Sequence, residues 1–274
     1  RTSNYEINID AVPRLIDGLR WLAVPREAEW AGGAEWAVVV AVLGRMVGAL
    51  QHRLRLSKSR ARDNIAHHYD LDGGIYDLFL DADRQYSCAY FATPDMSLEA
   101  AQEAKKHHIA RKLRLFQGAR VLDIGCGWGG MALTLARDYG AQVVGVTLSD
   151  EQLRIATARV AEAGLQDRVE IRKQDYRQVE GSFDRIVSVG MFEHVGLPHY
   201  GTYFRAVRRL LTEDGVALIH TIGNNGRRVA TGDWVRHYIF PGGYIPALSE
   251  VTRATENARL PLSDIEVLRD HYAE

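Results

Sequence analysis

Between Val121 and Gly130 the chain reads VLDIGCGWGG, an apolar strand that runs into a glycine-rich turn and opens a helix. Glycines at 125, 127 and 129 let the backbone approach a ligand closely and expose N–H groups at the helix start, as a nucleotide-type cofactor requires. Two cofactors compete for such a turn. A nicotinamide dinucleotide calls for G-x-G-x-x-G and for an acid ending the second strand. Here the spacing is G-x-G-x-G-G and the second strand ends in Thr147-Leu148-Ser149, without that acid. S-Adenosylmethionine has no pyrophosphate to seat, so its turn can be tighter and more varied. Asp123 inside the first strand and Asp175 after the third stand where methyltransferases of this kind place polar groups, for the methionine end and the adenine amine. The expected cofactor is therefore S-adenosylmethionine, with Asp123, Gly125, Gly127, Gly129 and Asp175 around it. His67, His68, His107 and His108 form pairs that could suggest a metal, but no Cys, Asp or Glu at ligand spacing completes a site, so no metal is expected. Trp128 is read as filling core space and is given no catalytic role.

Such residues need a sheet to hold them. From about residue 100 strand and helix alternate strictly, the pattern of a parallel sheet covered on both faces. Strands are expected at 120–124, 142–147, 169–174, 183–189 and 216–221, each short, β-branched and almost continuously apolar. Helices are expected at 130–139, at 150–163 with Ser149 or Asp150 as cap, at 198–211 and at 250–257. Residues 223–246 read as loop, and 265–268 as the start of a sixth strand. The fold class is α/β, a Rossmann-like, doubly wound class I methyltransferase sheet (66–274) behind a small helical N-terminal domain (1–65).

That first domain carries apolar-periodic runs at 12–22 and 36–54. No acid occurs from 37 to 62, where Arg45, Arg53, Arg55, Lys58, Arg60 and Arg62 place positive charge directly after an apolar stretch. A helix lying on an anionic lipid surface fits this order, each basic residue contributing about 1 kcal/mol; a buried packing helix with a solvated basic tail fits it too. No stretch reaches the roughly 18 to 20 apolar residues that span a bilayer. The whole chain, 274 residues with 34 basic against 35 acidic groups, has no global field to attract nucleic acid. Its 46% hydrophobic and 25% charged content excludes disordered, collagenous and coiled-coil classes. Two cysteines, Cys88 and Cys126, are too few for a disulfide framework and point to a reducing, cytoplasmic compartment.

Seven words then occur in order: His68-Tyr69-Asp70, Tyr86-Ser87-Cys88-Ala89-Tyr90-Phe91, LDIGCGWGG from Leu122, Gly145-Val146-Thr147-Leu148-Ser149, Phe192-Glu193-His194-Val195-Gly196, His220-Thr221-Ile222-Gly223 and Ile239-Phe240-Pro241-Gly242-Gly243. Across about residues 65–272 the chain thereby resembles the cyclopropane fatty acyl phospholipid synthases and the related mycolic acid methyltransferases. The glycine turn is generic; YSCAYF, FEHVG and IFPGG together are specific to this group. The resemblance implies that the cis double bond of an acyl chain attacks the sulfonium methyl, that a carbocation forms, and that proton loss closes a cyclopropane. Such chemistry demands a long apolar pocket, exclusion of water and a base near the new methyl group.

In the family that base is a bicarbonate ion, and the resemblance assigns its ligands to Cys88, Glu193, His220 and the backbone of Ile222, with Gly190 lining the same site. Cys88, Glu193 and His220 are the expected catalytic residues. Glu193 follows the fourth strand and His220 ends the fifth, at the carboxyl edge where open α/β sheets bind ligands. A neutral or cationic His220 would hold the anion, and Glu193 would accept its proton or orient His220. For the cofactor the resemblance adds Tyr86, Ser87, Thr147 at the ribose edge, Gln152, and Tyr176 near adenine, while Arg177 departs from the acid some relatives place there. Each residue also has a plainer reading: Cys88 as a small buried hydrophobe, Glu193 as a helix cap, His220 as a hydrogen-bonded core residue, Tyr86 and Tyr176 as aromatic packing.

The implied protein works on a phospholipid bilayer with unsaturated acyl chains, peripheral on the inner face of the membrane, as a homodimer through its N-terminal helices and without nucleic acid. Methyl-branched or methylene products, a small-molecule methyltransferase, and a non-catalytic lipid or cofactor binding module are the competing readings. The absence of Met at position 1 suggests residues upstream. Methyltransferases of this fold finish with a sixth and an antiparallel seventh strand, and the family has a further bicarbonate-binding tyrosine there. The chain, ending at His271-Tyr272-Ala273-Glu274, is therefore expected to be a fragment, and Tyr272 is not expected to be that ligand.

Overall fold

A computed structural model describes residues 73–224 and 243–271. The expected N-terminal helices, the basic residues from Arg45 to Arg62, His67, His68 and residues 239–242 lie outside the described residues.

Helix α1 (Leu98–Lys112) begins at Ser97, whose Oγ accepts the N–H of Ala100 at 3.2 Å, a cap worth about 1 kcal/mol. The chain continues through β1 (Arg120–Ile124), α2 (Gly130–Tyr139), β2 (Gln142–Thr147), α3 (Asp150–Glu162), β3 (Val169–Lys173), β4 (Phe183–Val189), α4 (Tyr200–Leu210), β5 (Leu211–His220) and α5 (Leu248–Asn257). The five strands are parallel, in the order β3-β2-β1-β4-β5. Between β1 and β4 the order reverses, and at that switch point open sheets bind their ligands.

The central strands serve two cores. Leu122, Ile124, Val146 and Ile186 pack with Phe192, Tyr200, Tyr203 and Phe204 on one face. Val121, Val143 and Val187 pack with Ile109, Met131, Leu135 and Val160 on the other. Burying each large side chain contributes about 1.5–3 kcal/mol, and double covering is why these strands read as almost continuous apolar runs.

Several expected boundaries move. β3 stops one residue earlier than expected, at Lys173, and α3 ends at Glu162. A short 3-10 turn, Leu197–His199, precedes α4, so the helix starts at Tyr200. β5 begins at Leu211 rather than at 216, because Leu211 already pairs with Phe183; pairing then resumes at Val216 opposite Arg185 after an excursion through residues 212–215. The sixth strand expected at 265–268 does not form. There Asp264 and Glu266 reach back to α1, Glu266 lying 2.6 Å from Lys112 and 2.7 Å from His108 and Asp264 also on Lys112, while Ile265 and Val267 face solvent. Side-chain ion pairs, not a backbone ladder, hold the segment.

One segment lies across the carboxyl edge of the sheet, held by the polar side of α1. Gln102 donates to the carbonyls of Gln85 (3.2 Å) and Ser87 (3.0 Å), and Ala101 accepts from the N–H of Tyr90 (3.0 Å). Asp83 pairs with Lys106 at 2.7 Å and with Arg159 of α3. Burial raises the Asp83 carboxyl, but these two cations outweigh it and hold the group below the usual carboxylate range. Tyr90 is stacked between His108 (4.3 Å) and His271 (4.2 Å). The strap 81–91 is thereby fixed over the strand ends.

The glycine turn takes φ values of +81° at Gly125 and +85° at Gly129. A Cβ on Gly125 would meet Met191 at 2.7 Å, in a backbone region that L-residues rarely adopt. Gly125→Ala is accordingly expected to destabilise the protein by about 1–3 kcal/mol, lowering the melting temperature by several degrees; a melting curve superimposable on the wild type would refute the turn's steric role.

Candidate active site

The ends of β1, β2, β3 and β4 converge on a cavity of about 1210 Å³ including its open mouth. Tyr86, Ser87, Asp123, Gly125, Gly127, Thr147, Gln152, Asp175, Tyr176 and Gly190 all line it. Gly129 does not: its missing Cβ would lie 3.2 Å from the Ala156 Cβ, so this glycine lets α2 pack against α3 behind the turn. Trp128, assigned to the core from sequence, is buried with its ring 5.0 Å edge-on to Tyr76, yet it also forms cavity wall. Its place within the glycine turn was the available signal. Met191, His194 and His199 line the cavity as well.

Asp123 is 2% exposed, and its Oδ2 has no hydrogen-bond partner among the described residues. Burial pushes its carboxyl up to about 7. A buried, unpaired carboxylate lining a cavity calls for a cation, and the ammonium of a methionine moiety is one. Across the turn, Thr147 donates to Gln152 Oε1 at 2.7 Å and accepts the N–H of Ser149 at 3.2 Å, so β2 and the first turn of α3 form one polar edge.

Asp175 lines the cavity after β3, as expected, with a partner of its own. Its carboxylate accepts the N–H of Arg177 at 2.9 Å and the guanidinium Nε at 2.8 Å, which commits it to its neighbour and not freely to an adenine amine. Tyr176 packs edge-on to Tyr203 at 5.3 Å beneath that guanidinium, and burial raises its phenol to about 12. The departure at Arg177 thus has a local consequence: it closes a pair with Asp175 at the cavity rim.

A second group adjoins the first. Glu193, 3% exposed in the short turn Phe192–His194 after β4, accepts the Ile222 N–H on Oε1 at 2.6 Å. Its Oε2 is buried without a partner among the described residues. Burial raises the Glu193 carboxyl, against the lowering effect of the Ile222 N–H. His220, the last residue of β5, has a buried Nδ1 equally without partner, and its carbonyl accepts the Gly190 N–H at 3.0 Å. Burial pulls His220 down to about 4, helped by the charge of Lys105. Its ring is neutral at neutral pH, so the cationic alternative drops out.

Glu193, His220, Ile222 and Gly190 are therefore brought together beyond the ends of β4 and β5 by two bonds, Ile222 N–H to the Glu193 side chain and Gly190 N–H to the His220 carbonyl. The strap approaches this group through Tyr86 and Ser87: Ser87 Cβ lies 3.8 Å, and the Tyr86 carbonyl 3.5 Å, from where a Gly190 side chain would start. The Cys88 thiol itself donates weakly to the carbonyls of Ala89 (3.4 Å) and His271 (3.7 Å), and burial raises it. Lys105 was missed by sequence reasoning. It is 2% exposed on α1 and donates to Ser87 Oγ at 2.6 Å. Its signal was spacing, since it falls four residues after Ala101 and four before Ile109, both buried.

The paired histidines part company. Glu103, one turn before His107, and Asp138 bring ligand atoms within 4.8 Å of one another, so carboxylates do lie at ligand spacing, contrary to the sequence argument. Those atoms are otherwise engaged: His107 Nδ1 with Tyr139 at 2.8 Å, Glu103 with Lys106 at 2.6 Å, and Asp138 with Arg137 at 2.7 Å. His108 is held by Tyr90 and Glu266.

A parallel sheet ordered 3-2-1-4-5, with a positive-φ glycine turn opening the first helix and a buried acid on the first strand, defines the class I S-adenosylmethionine-dependent methyltransferase fold. The comparisons with known proteins agree. A family model described as mycolic acid cyclopropane synthetase matches residues 56–274, and the chain belongs to that family. It is 47% identical over 212 residues to the cyclopropane-fatty-acyl-phospholipid synthase of Escherichia coli K12, covering 77% of this chain and 54% of that protein. It is 44% identical over 217 residues to a probable fatty acid methyltransferase of Pseudomonas putida, covering 77% and 55%. The chain thus spans about half the length of these curated relatives. Among solved structures, mycolic acid cyclopropane synthase CmaA1 complexed with SAH and CTAB superposes with a TM-score of 0.72 at 34% identity, over 77% of this chain and 78% of that one. Among the described residues no helix is long and apolar enough to cross a membrane.

Proposed function

We propose that the protein transfers a one-carbon unit from S-adenosylmethionine to the cis double bond of unsaturated phospholipid acyl chains and forms a cyclopropane. The observation that carries this reading is the pair of unpartnered buried atoms, Glu193 Oε2 and His220 Nδ1, at the same sheet edge as the Asp123 cavity. When bound, S-adenosylmethionine supplies an electrophilic methyl group and bicarbonate supplies a base. Both fit the residues present. Asp123 would offer a negative charge to the methionine ammonium, Gly125 and Gly127 would leave room for close approach, and the Thr147–Gln152 edge would hold the ribose hydroxyls. Tyr86, Trp128 and Tyr176 give the cavity apolar walls that keep water from a developing cation.

For the oxyanion, Ile222 fixes one oxygen of Glu193 and leaves the other free, while neutral His220 can donate or accept at Nδ1. Gly190 adjoins them through its bond to His220, and Cys88 is proposed as a further ligand from the strap. A carboxylate held above its ordinary range by burial is suited to take up a proton and hold it, which is the task proposed for Glu193.

The substrate chains lie in a bilayer, so action at the inner membrane face from the cytoplasm goes with this reading. Residues 1–65, with the Arg45 to Arg62 cluster, are the proposed lipid contact and dimer contact; 66–274 is the proposed catalytic domain. A second reading, a methyl-branched or methylene product, draws support from the relative described as a probable fatty acid methyltransferase.

The full-length protein, vesicles of cis-unsaturated phospholipid and labelled S-adenosylmethionine test both. Label in the lipid, a mass gain of one CH2 and cyclopropane proton signals are expected. The same gain without ring signals would favour the second reading, and methylation of soluble amines with untouched vesicles would overturn both.

A further inference from the structure

We propose that Lys105 is the counter-charge of the oxyanion pocket, a buried ammonium that acts through Ser87 and Cys88 to hold a small monoanion against Glu193 and His220. This rests on the reading of the pocket given above. An anion placed beside a carboxylate and a neutral imidazole gathers negative charge in a dry site, where it is strongly disfavoured unless a cation lies nearby. His220 does not supply that cation. Arg84 is paired with Asp77 and Arg177 with Asp175, while Lys106 is divided between Asp83 and Glu103.

Lys105 remains. Among the described residues no carboxylate forms an ion pair with it, and its one hydrogen bond is to Ser87 Oγ at 2.6 Å. Ser87 abuts Gly190, whose N–H is bonded to His220, so the ammonium connects in two steps to the ends of β4 and β5. The charged groups that act on it are Asp81, Asp83 and Cys88 of the strap and Lys106 of its own helix, and its own charge acts on His220 of β5. Burial pulls Lys105 down to about 7, with Lys106 adding to the fall and the two aspartates opposing it. A bound anion would restore its proton. Anion affinity should therefore weaken as the pH rises past that value.

The test uses the full-length protein and bicarbonate as probe, and reads two quantities: alkylation of Cys88 by iodoacetamide, with buried Cys126 as internal control, and methyl transfer to vesicles. In the wild type bicarbonate should protect Cys88. In Lys105→Met protection should need at least tenfold more bicarbonate, and the Cys88 alkylation profile should move to higher pH. Lys105→Arg should restore protection and flatten its pH dependence between 6 and 9, roughly the span over which the lysine titrates. The bicarbonate concentration for half-maximal methyl transfer should rise in parallel in Lys105→Met, with S-adenosylmethionine affinity changed less than twofold. If the methionine variant does not fold, Lys105→Gln keeps a donor to Ser87 without the charge and carries the same comparison. Wild-type protection and pH profile in a folded neutral variant would overturn the proposal, as would a wild-type Cys88 that bicarbonate never protects. A protein that transfers no methyl to lipid yet shows Lys105-dependent protection would overturn the activity and leave this pocket standing.

Discussion

Replacing Glu193 by Gln is expected to lower methyl transfer about 100- to 1000-fold while S-adenosylmethionine binding stays within twofold. The substitution is nearly isosteric, and the amide oxygen can still accept the Ile222 N–H that Oε1 accepts now. What disappears is the second oxygen as a proton acceptor, since an NH2 group stands in its place. General acid–base groups contribute about 10²- to 10⁴-fold, so a loss at the lower end is the expectation for a group that shares its task with a bound base. Stability gives an internal control. Burial raises the Glu193 carboxyl, so its ionised form is disfavoured in the fold, and this cost appears as the pH rises through the unfolded and then the folded value. Glutamine removes it, and the variant should melt no lower than the wild type at neutral pH. Retention of more than a tenth of the activity would exclude Glu193 from proton handling.

Asp123→Asn should separate stability from cofactor binding more sharply. The folded carboxyl titrates at about 7, against roughly 3.9 in an unfolded chain. Between those values the folded state binds a proton that the unfolded state has lost, so stability falls as the pH rises through this window. Above it the buried charge costs on the order of 2–4 kcal/mol. Asparagine avoids that cost, and the ligand-free variant should melt roughly 5–10 °C higher at pH 8 and almost unchanged at pH 4. Affinity moves the other way. Loss of a charge-assisted contact worth about 1.5–3 kcal/mol should weaken S-adenosylmethionine about 10- to 100-fold at pH 8. Calorimetric titration beside a melting curve reads both quantities, and an unchanged dissociation constant would remove Asp123 from the cofactor site.

The sheet was legible because its central strands are buried on both faces, and a short apolar run such as 143–146 (VVGV) has no other stable use in a chain of this kind. The start of β5 was not, because Leu211 leaves a helix and enters a ladder with no turn residue between them, and the stretch 212–215 before the expected start is an excursion from that ladder. A false sixth strand came from alternation at 264–267 that is real but serves ion pairs with α1. In the site, residue types announced the glycine turn and the Asp123 cavity, whereas Glu193, His220 and Cys88 needed recognition of a family, since nothing local tells a ligand from a cap. Lys105 and the Asp175–Arg177 pair were hidden for one reason: a charged side chain is read as solvated until packing shows what surrounds it.

The stack of Tyr90 between His108 and His271 also sets an order of events during synthesis. His271 Nδ1 meets the carbonyl of Phe91 at 3.1 Å across 180 residues of sequence. At about 5–20 residues per second this half of the stack waits roughly 9–36 s after Phe91 has left the ribosome. Until then, the wall that carries Tyr86, Ser87 and Cys88 is held by α1 and α3 alone, so the site is completed near the end of translation of the described chain.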